Sequence, residues 1–173
     1  MWVFVLGDLA IFSVYFVIFI IYRTQERDIF LESQHRLSPS IAVVNTLVLL
    51  VSSWFVARGV QAARKADCAH AMRLNCYAVL CGLLFILLKA LEWSLEIHRG
   101  LTLPSGDFFM FYYMLTGVHL FHVLLGLIIL GVVVRELRNP ALRRVVVVET
   151  GAVYWHMVDL LWIMIFVLFY VMR

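Results

Sequence analysis

Asp8, Lys89, Glu92, His119, His122, Glu149, His156 and Asp159 are the residues of this sequence that could hold a charge, pass a proton or bind a metal ion from within otherwise apolar stretches. They are densest in the last stretch, ETGAVYWHMVDLLWIMIFVLFYVM, from Glu149 to Met172. On a helix turning about 100° per residue, Glu149, Ala152, His156, Asp159, Ile163, Phe166 and Tyr170 share one stripe, spaced alternately three and four apart. An ionisable side chain facing lipid near the bilayer centre costs roughly 2.5 to 3.5 kcal/mol, so this stripe requires a protein partner.

Neutral imidazole ligates haem iron and copper, and intramembrane histidines therefore raise a haem or metal site. A b-type haem needs histidines on two facing helices with small residues making room. Here bulky Tyr154 and Trp155 flank His156, and Asp159 lies one turn away. That arrangement suits hydrogen-bonded histidines in a tight helix contact; a small haem-binding quinol oxidoreductase using His119, His122 and His156 is the alternative from another class. No HExxH, GxSxG, CxxC or glycine-rich phosphate loop is present. A proton relay through Asp8, Glu92, His119, His122 and Asp159 would have to bridge different depths and faces. In LLKALEWSLEIH, Lys89, Glu92 and Glu96 fall within about 60° on a helix surface, where Lys89 can neutralise Glu92. Either this is an internal ion pair near the outer interface, with Lys89 bonded or snorkelling, or Glu92 is buried against another helix and orders it. Asp8 is about 9 Å along its helix, as a solvated carboxylate or one placed between helices.

The elements that position these groups are membrane helices. Of the 173 residues 64% are hydrophobic, and the mean hydropathy of +0.97 is beyond that of a soluble domain. Five runs are long enough to cross about 30 Å of hydrocarbon: Trp2 to Tyr22, Ser40 to Ala63, Leu74 to Ile97, Phe108 to Val134 and Glu149 to Met172. The expected fold is all-α, one polytopic transmembrane domain over residues 1–173, because lipid offers backbone groups no hydrogen-bonding partner. Five helices without broken-helix signals disfavour an inverted-repeat transporter. The first run has neither a basic leader nor a small-residue cleavage pattern and reads as a retained helix.

Arg58, Arg64, Lys65, Arg73, Arg135, Arg138, Arg143 and Arg144 lie on the side of the second and fourth loops, against Arg23, Arg27, Arg36, Arg99 and Arg173 on the other. This bias predicts a cytoplasmic N-terminus and an outside C-terminus. The net charge of +3 reflects the same rule and gives no reason to invoke nucleic acid. Cys68, Cys76 and Cys81, odd in number, read as small buried hydrophobes. RTQERDIFLESQHRL reads as a connector with room for a short amphipathic surface segment, Ser38-Pro39 as an N-cap and first helical residue, and HRGLTLPSGD as a turn region. In GVHLFHVLLG, His119, His122 and Gly126 share a side, so another helix could come close. His122 and Asp159 lie at similar depth, about 12 and 10 residues from the ends of helices joined by a hairpin at Asn139-Pro140. A bond from His122 to Asp159, or to His156, would satisfy the stripe, and Asp159→Leu would then strand a buried histidine at about 1 to 3 kcal/mol.

The same residues resemble a known family. ETGAVYWHMVDLLWIMIFVLFY is similar to the last helix of haem-copper oxidase subunit III, where E-x-G-x-x-YWH-x-VD-x-x-W is typical. TGVHLFHVLLGLIIL resembles that family's G-x-H-x-x-HV-x-x-G helix, GLLFILLKALEW its helix ending in a Glu-aromatic pair, and MWVFVLGDLAIFSVYF its MW-x-F-x-x-S-E helix. The resemblance places Glu92, His119, His122, Glu149, Tyr154, Trp155, His156, Asp159 and Trp162 on motif positions, implied to hold the bundle together and to shape lipid and subunit contacts. It implies no haem or copper in this chain, haem (with copper in an oxidase) in a catalytic partner subunit, bound phospholipid, and a multi-pass place in a bacterial cytoplasmic membrane. Asp8 stands where a Glu associated with carbodiimide reaction is usual, and Lys89 where a Gln is common. Small size, Gly7-Asp8 and Lys89 point to the NorE-like accessory protein of nitric oxide reductase; subunit III of a cytochrome c or quinol oxidase, supporting proton uptake and durability, is the alternative.

Overall fold

A computed structural model of the chain describes residues 2–37, 39–102, 106–138 and 144–172. The described residues form helices α1 (Trp2–Gln25), α2 (Arg27–Arg36), α3 (Pro39–Arg64), α4 (Cys68–His98), α5 (Asp107–Arg138) and α6 (Val145–Phe166), the last continuing as a π turn over Val167–Val171. Five of them, all but α2, are long and apolar enough to cross a membrane. The all-helical, multi-pass architecture expected from hydropathy is the one observed.

The helices overrun the apolar runs that announced them. α4 begins at Cys68 rather than Leu74, α5 runs to Arg138 and α6 starts at Val145. At 1.5 Å per residue the 31 residues of α4 extend about 46 Å, well beyond the hydrocarbon. Hydropathy reports where lipid ends, whereas backbone hydrogen bonding carries a helix on through the headgroups. Pro39 opens α3 as expected, while Ser38, the Asn139-Pro140 turn and residues 103–105 of the third loop lie outside the described residues.

α3 and α4 form the tightest pair, through small residues that let backbones approach. A Cβ on Gly59 would meet Asn75 Nδ2 at 2.6 Å. Ser52 Oγ donates to the Ala78 carbonyl at 3.0 Å. The buried face of α4 repeats every seven residues, Ala71, Ala78, Phe85 and Glu92 beside Asn75, Gly82, Lys89 and Glu96, so its charged residues sit in core positions. Asp67 caps this helix, its Oδ1 accepting from His70 N–H at 3.0 Å.

α1 is attached largely through rings. Phe19 packs on Phe169 with centroids 4.7 Å apart and touches Phe30, Phe108 and Phe111. The connector between the first two spans is therefore a helix with a tertiary role: Phe30 is buried, and Gln34 Nε2 donates to the carbonyls of Leu168, Phe169 and Met172 at 3.2, 3.0 and 2.8 Å. These are orphan acceptors at the end of the last helix. The cysteines depart from expectation. Cys76 is exposed and Cys81 only partly buried because both fall off the heptad rows of α4, and Cys68, on the Asn75 row, is only partly buried because it is the first residue of the helix.

Candidate functional site

Two polar centres occupy the bundle interior. The first lies where α4, α5 and α6 come together near the end that carries α2. Lys89 is fully enclosed, and its ammonium donates to Glu92 Oε2 at 3.1 Å, Tyr112 O–H at 2.9 Å and Tyr170 O–H at 3.3 Å. Tyr112 O–H and Tyr170 O–H both donate to Glu92 Oε1, the former at 3.1 Å. The ammonium also lies 5.2 Å from the centroid of the Trp162 ring. Both sequence expectations for this pair are met together: Lys89 neutralises Glu92, and Glu92 is buried and orders two further helices. Snorkelling does not occur. Glu96, one turn on, is buried with neither carboxylate oxygen hydrogen-bonded among the described residues.

The second centre joins α1, α5 and α6. His122 Nε2 lies 3.4 Å from Asp8 Oδ2, and His122 Nδ1 bonds the Val118 carbonyl at 2.7 Å. A carbonyl only accepts, so Nδ1 is the donor in that bond, and the ring is thereby held with Nε2 toward Asp8. The Asp8 carboxylate also acts electrostatically on Tyr154 of α6. Asp8 is thus a carboxylate set between helices, 14% exposed at its side chain.

The stripe on α6 faces α3 instead of α5, which corrects the pairing of His122 with Asp159 or His156. His156 Nδ1 lies 2.6 Å from Ser53 Oγ, and Glu149 Oε1 accepts from Arg64 Nε at 2.8 Å. The indoles reinforce this seam, Trp155 Nε1 donating to Ser52 Oγ at 3.1 Å and Trp162 Nε1 to Thr46 Oγ1 at 3.0 Å. Volume explains the rotation. A Cβ on Gly126 of α5 or on Gly82 of α4 would stand 2.8 Å from the Trp155 ring, so the indole fills the slot both glycines leave, and α6 presents its aromatics to α5. Gly126 does admit a close approach, by a ring and not by a helix backbone.

Asp159 is buried on the Ser53 side of α6, and neither carboxylate oxygen has a hydrogen-bond partner among the described residues. His119 is enclosed between Phe85 and Trp162, and neither ring nitrogen has a hydrogen-bond partner among the described residues. The three histidines weighed as haem ligands therefore point to three places: Phe85 and Trp162, Asp8, and Ser53. Among the described residues no three of His, Cys, Asp and Glu gather where they could hold one metal ion. Sequence reading overlooked Tyr112, Ser53, Thr46, Arg64 and Gln34; of the tyrosines, Tyr170 alone carried a signal, its place on the α6 stripe.

The family model described as cytochrome c oxidase subunit III matches residues 1–173. Cytochrome c oxidase subunit 3 of Corynebacterium diphtheriae is 32% identical over 143 residues, 80% of this chain and 69% of the relative. The probable cytochrome c oxidase subunit 3 of Nocardia farcinica is 29% identical over 96% of this chain and 83% of its own length. The subunit of the same name from Synechocystis is 29% identical over 98% and 72%.

Proposed function

This chain belongs to the cytochrome c oxidase subunit III family, and we propose that it is a non-catalytic subunit of a haem-copper-type respiratory complex, supporting a separate catalytic subunit through helix packing and bound lipid. The observation that carries this reading is the use made of the interior. Lys89, Glu92, Glu149, His156 and Trp155 all bond from one helix to another, and the slot framed by Gly82 and Gly126 is filled by Trp155. Haem and copper belong to the partner in this reading, and the site is a bacterial cytoplasmic membrane, in keeping with the bacterial relatives.

The printed names of the relatives favour a cytochrome c oxidase as the complex. A second reading, the accessory protein of nitric oxide reductase, is favoured by Gly7-Asp8 in place of Ser-Glu and by Lys89 before the Glu-Trp pair. Purification of the tagged chain from native membranes, with haem spectroscopy and identification of what accompanies it, separates the two. A copper-containing oxidase subunit is expected in the eluate. A nitric oxide reductase subunit would select the second reading, and a Soret band on the isolated chain would overturn both.

A further inference from the structure

Trp93, Tyr113, Tyr112 and Tyr170 stand in ring contact one after the other, with centroids 5.7, 5.2 and 6.4 Å apart. The first two are partly exposed and the last two are buried, so the series runs from the surface of the bundle into its interior. Indole and phenol are the side-chain rings that give up one electron most readily. The rings beyond, Phe169 against Tyr112 at 5.5 Å and Phe166 against Tyr170 at 5.7 Å, hold their electrons far more tightly, so the series has an inner end.

What distinguishes that inner end is its proton acceptor. A phenol that loses an electron becomes a strong acid, and it stays oxidised where a base within hydrogen-bond reach takes the proton. Tyr112 O–H and Tyr170 O–H both donate to Glu92 Oε1, a carboxylate. Tyr113 O–H donates to the Leu101 carbonyl at 2.7 Å, and the Trp93 N–H has no acceptor among the described residues, so these two rings can pass charge but not keep it. Trp162, on the other side of Lys89, donates to the Thr46 hydroxyl, which is no base either. The Lys89 ammonium lies 4.7 Å from the centroid of the Tyr112 ring, and a radical cation there would face a like charge in a medium of low dielectric. Electron and proton therefore have to leave the ring together.

We propose that Tyr112 and Tyr170, with Glu92 as their base, form a reversible one-electron redox site fed from the surface through Trp93 and Tyr113. A one-electron oxidant at the end of α4 takes an electron from Trp93. Electrons then move outward from Tyr113 and from Tyr112 or Tyr170, whose phenol proton passes to Glu92 Oε1. The products are a neutral phenoxyl radical, a Glu92 carboxylic acid beside Lys89 and the reduced oxidant, and an electron donor reverses each step. The site does not depend on which catalytic subunit the chain joins. For the test, the full chain in mild detergent, with its three cysteines replaced by Ser, carries a ruthenium polypyridyl complex on H98C, an exposed position, and flash photolysis with a quencher makes that complex the oxidant. Electron paramagnetic resonance should show a phenoxyl signal that narrows when the tyrosines are ring-deuterated. Y112F/Y170F, which keeps both rings and removes both hydroxyls, should lose it, and E92Q should weaken it by about tenfold. Y22F/Y77F, at exposed tyrosines outside the series, should leave it unchanged. Formation in the unsubstituted series should be slower in heavy water, a readout that needs no variant to fold. No signal in that chain, or an equal one in Y112F/Y170F, overturns the site. Equally fast formation in W93F/Y113F overturns the route, and an equal rate in the two solvents overturns the proton step.

Discussion

Lys89 uses all three of its N–H bonds on Glu92, Tyr112 and Tyr170, and Glu92 in turn accepts from Lys89, Tyr112 and Tyr170. A buried pair satisfied in this way is expensive to break from one side, because the remaining charge stays in the interior without compensation. Lys89→Met is expected to lower unfolding free energy by about 3 to 5 kcal/mol, and K89M/E92L to recover most of that loss. Denaturant unfolding of the detergent-solubilised chain followed by circular dichroism gives the cycle; additive losses would contradict the coupling. Asp159 is the opposite case. Among the described residues its carboxylate meets no hydrogen-bond geometry, although it lies on the Ser53 side, and Ser53 Oγ is 2.6 Å from His156. Asp159→Leu, which from sequence would strand a histidine, is therefore expected to leave the unfolding midpoint unchanged or to raise it. A loss above about 1 kcal/mol would contradict this expectation.

At the scale of elements, one indole sets how α6 is turned. Gly126→Ala would drive a Cβ to 2.8 Å from Trp155 Cε3, and the ring is hemmed in by Gly82 on the other side. Overpacking of this kind costs about 1 to 3 kcal/mol. Gly131, on the same helix, has nothing within 4 Å of the position a Cβ would take, and Gly131→Ala should stabilise by up to about 1 kcal/mol through helix propensity. Thermal melts of the two variants should move in opposite directions; a common direction would argue against the slot. α2 illustrates a different dependence. Its ten residues are too few to be a stable helix alone, and Phe30 in the aromatic cluster and Gln34 on the last carbonyls of the chain hold it. Gln34→Leu is expected to raise hydrogen exchange at Leu168 to Met172 without altering exchange in α4.

For the whole molecule, the proposed orientation places the α3–α4 turn in the cytoplasm. Cys68 is at that turn and partly exposed. With Cys76 and Cys81 replaced by Ser, a membrane-impermeant maleimide should label Cys68 in inverted vesicles and spare it in spheroplasts; the reverse pattern would turn the bundle over.

Five spans, a helical class, a pairing of Lys89 with Glu92 and a family were legible in the sequence, because hydropathy and the spacing of neighbours along one helix are local properties. The partners of Asp8, His122, His156 and Asp159 were not. Matching depth reduced the candidates for His122 but could not choose among helices, since any of several neighbours presents residues at that height. The choice lies in how each helix is rotated about its own axis, and rotation follows the filling of volume by residues far apart in the chain. Trp155, seated between Gly82 and Gly126, turns the stripe of α6 toward Ser53 and Arg64 and leaves His122 to Asp8. The stripe itself was written in the order of the residues; what it faces was decided only when the glycines and the indole met.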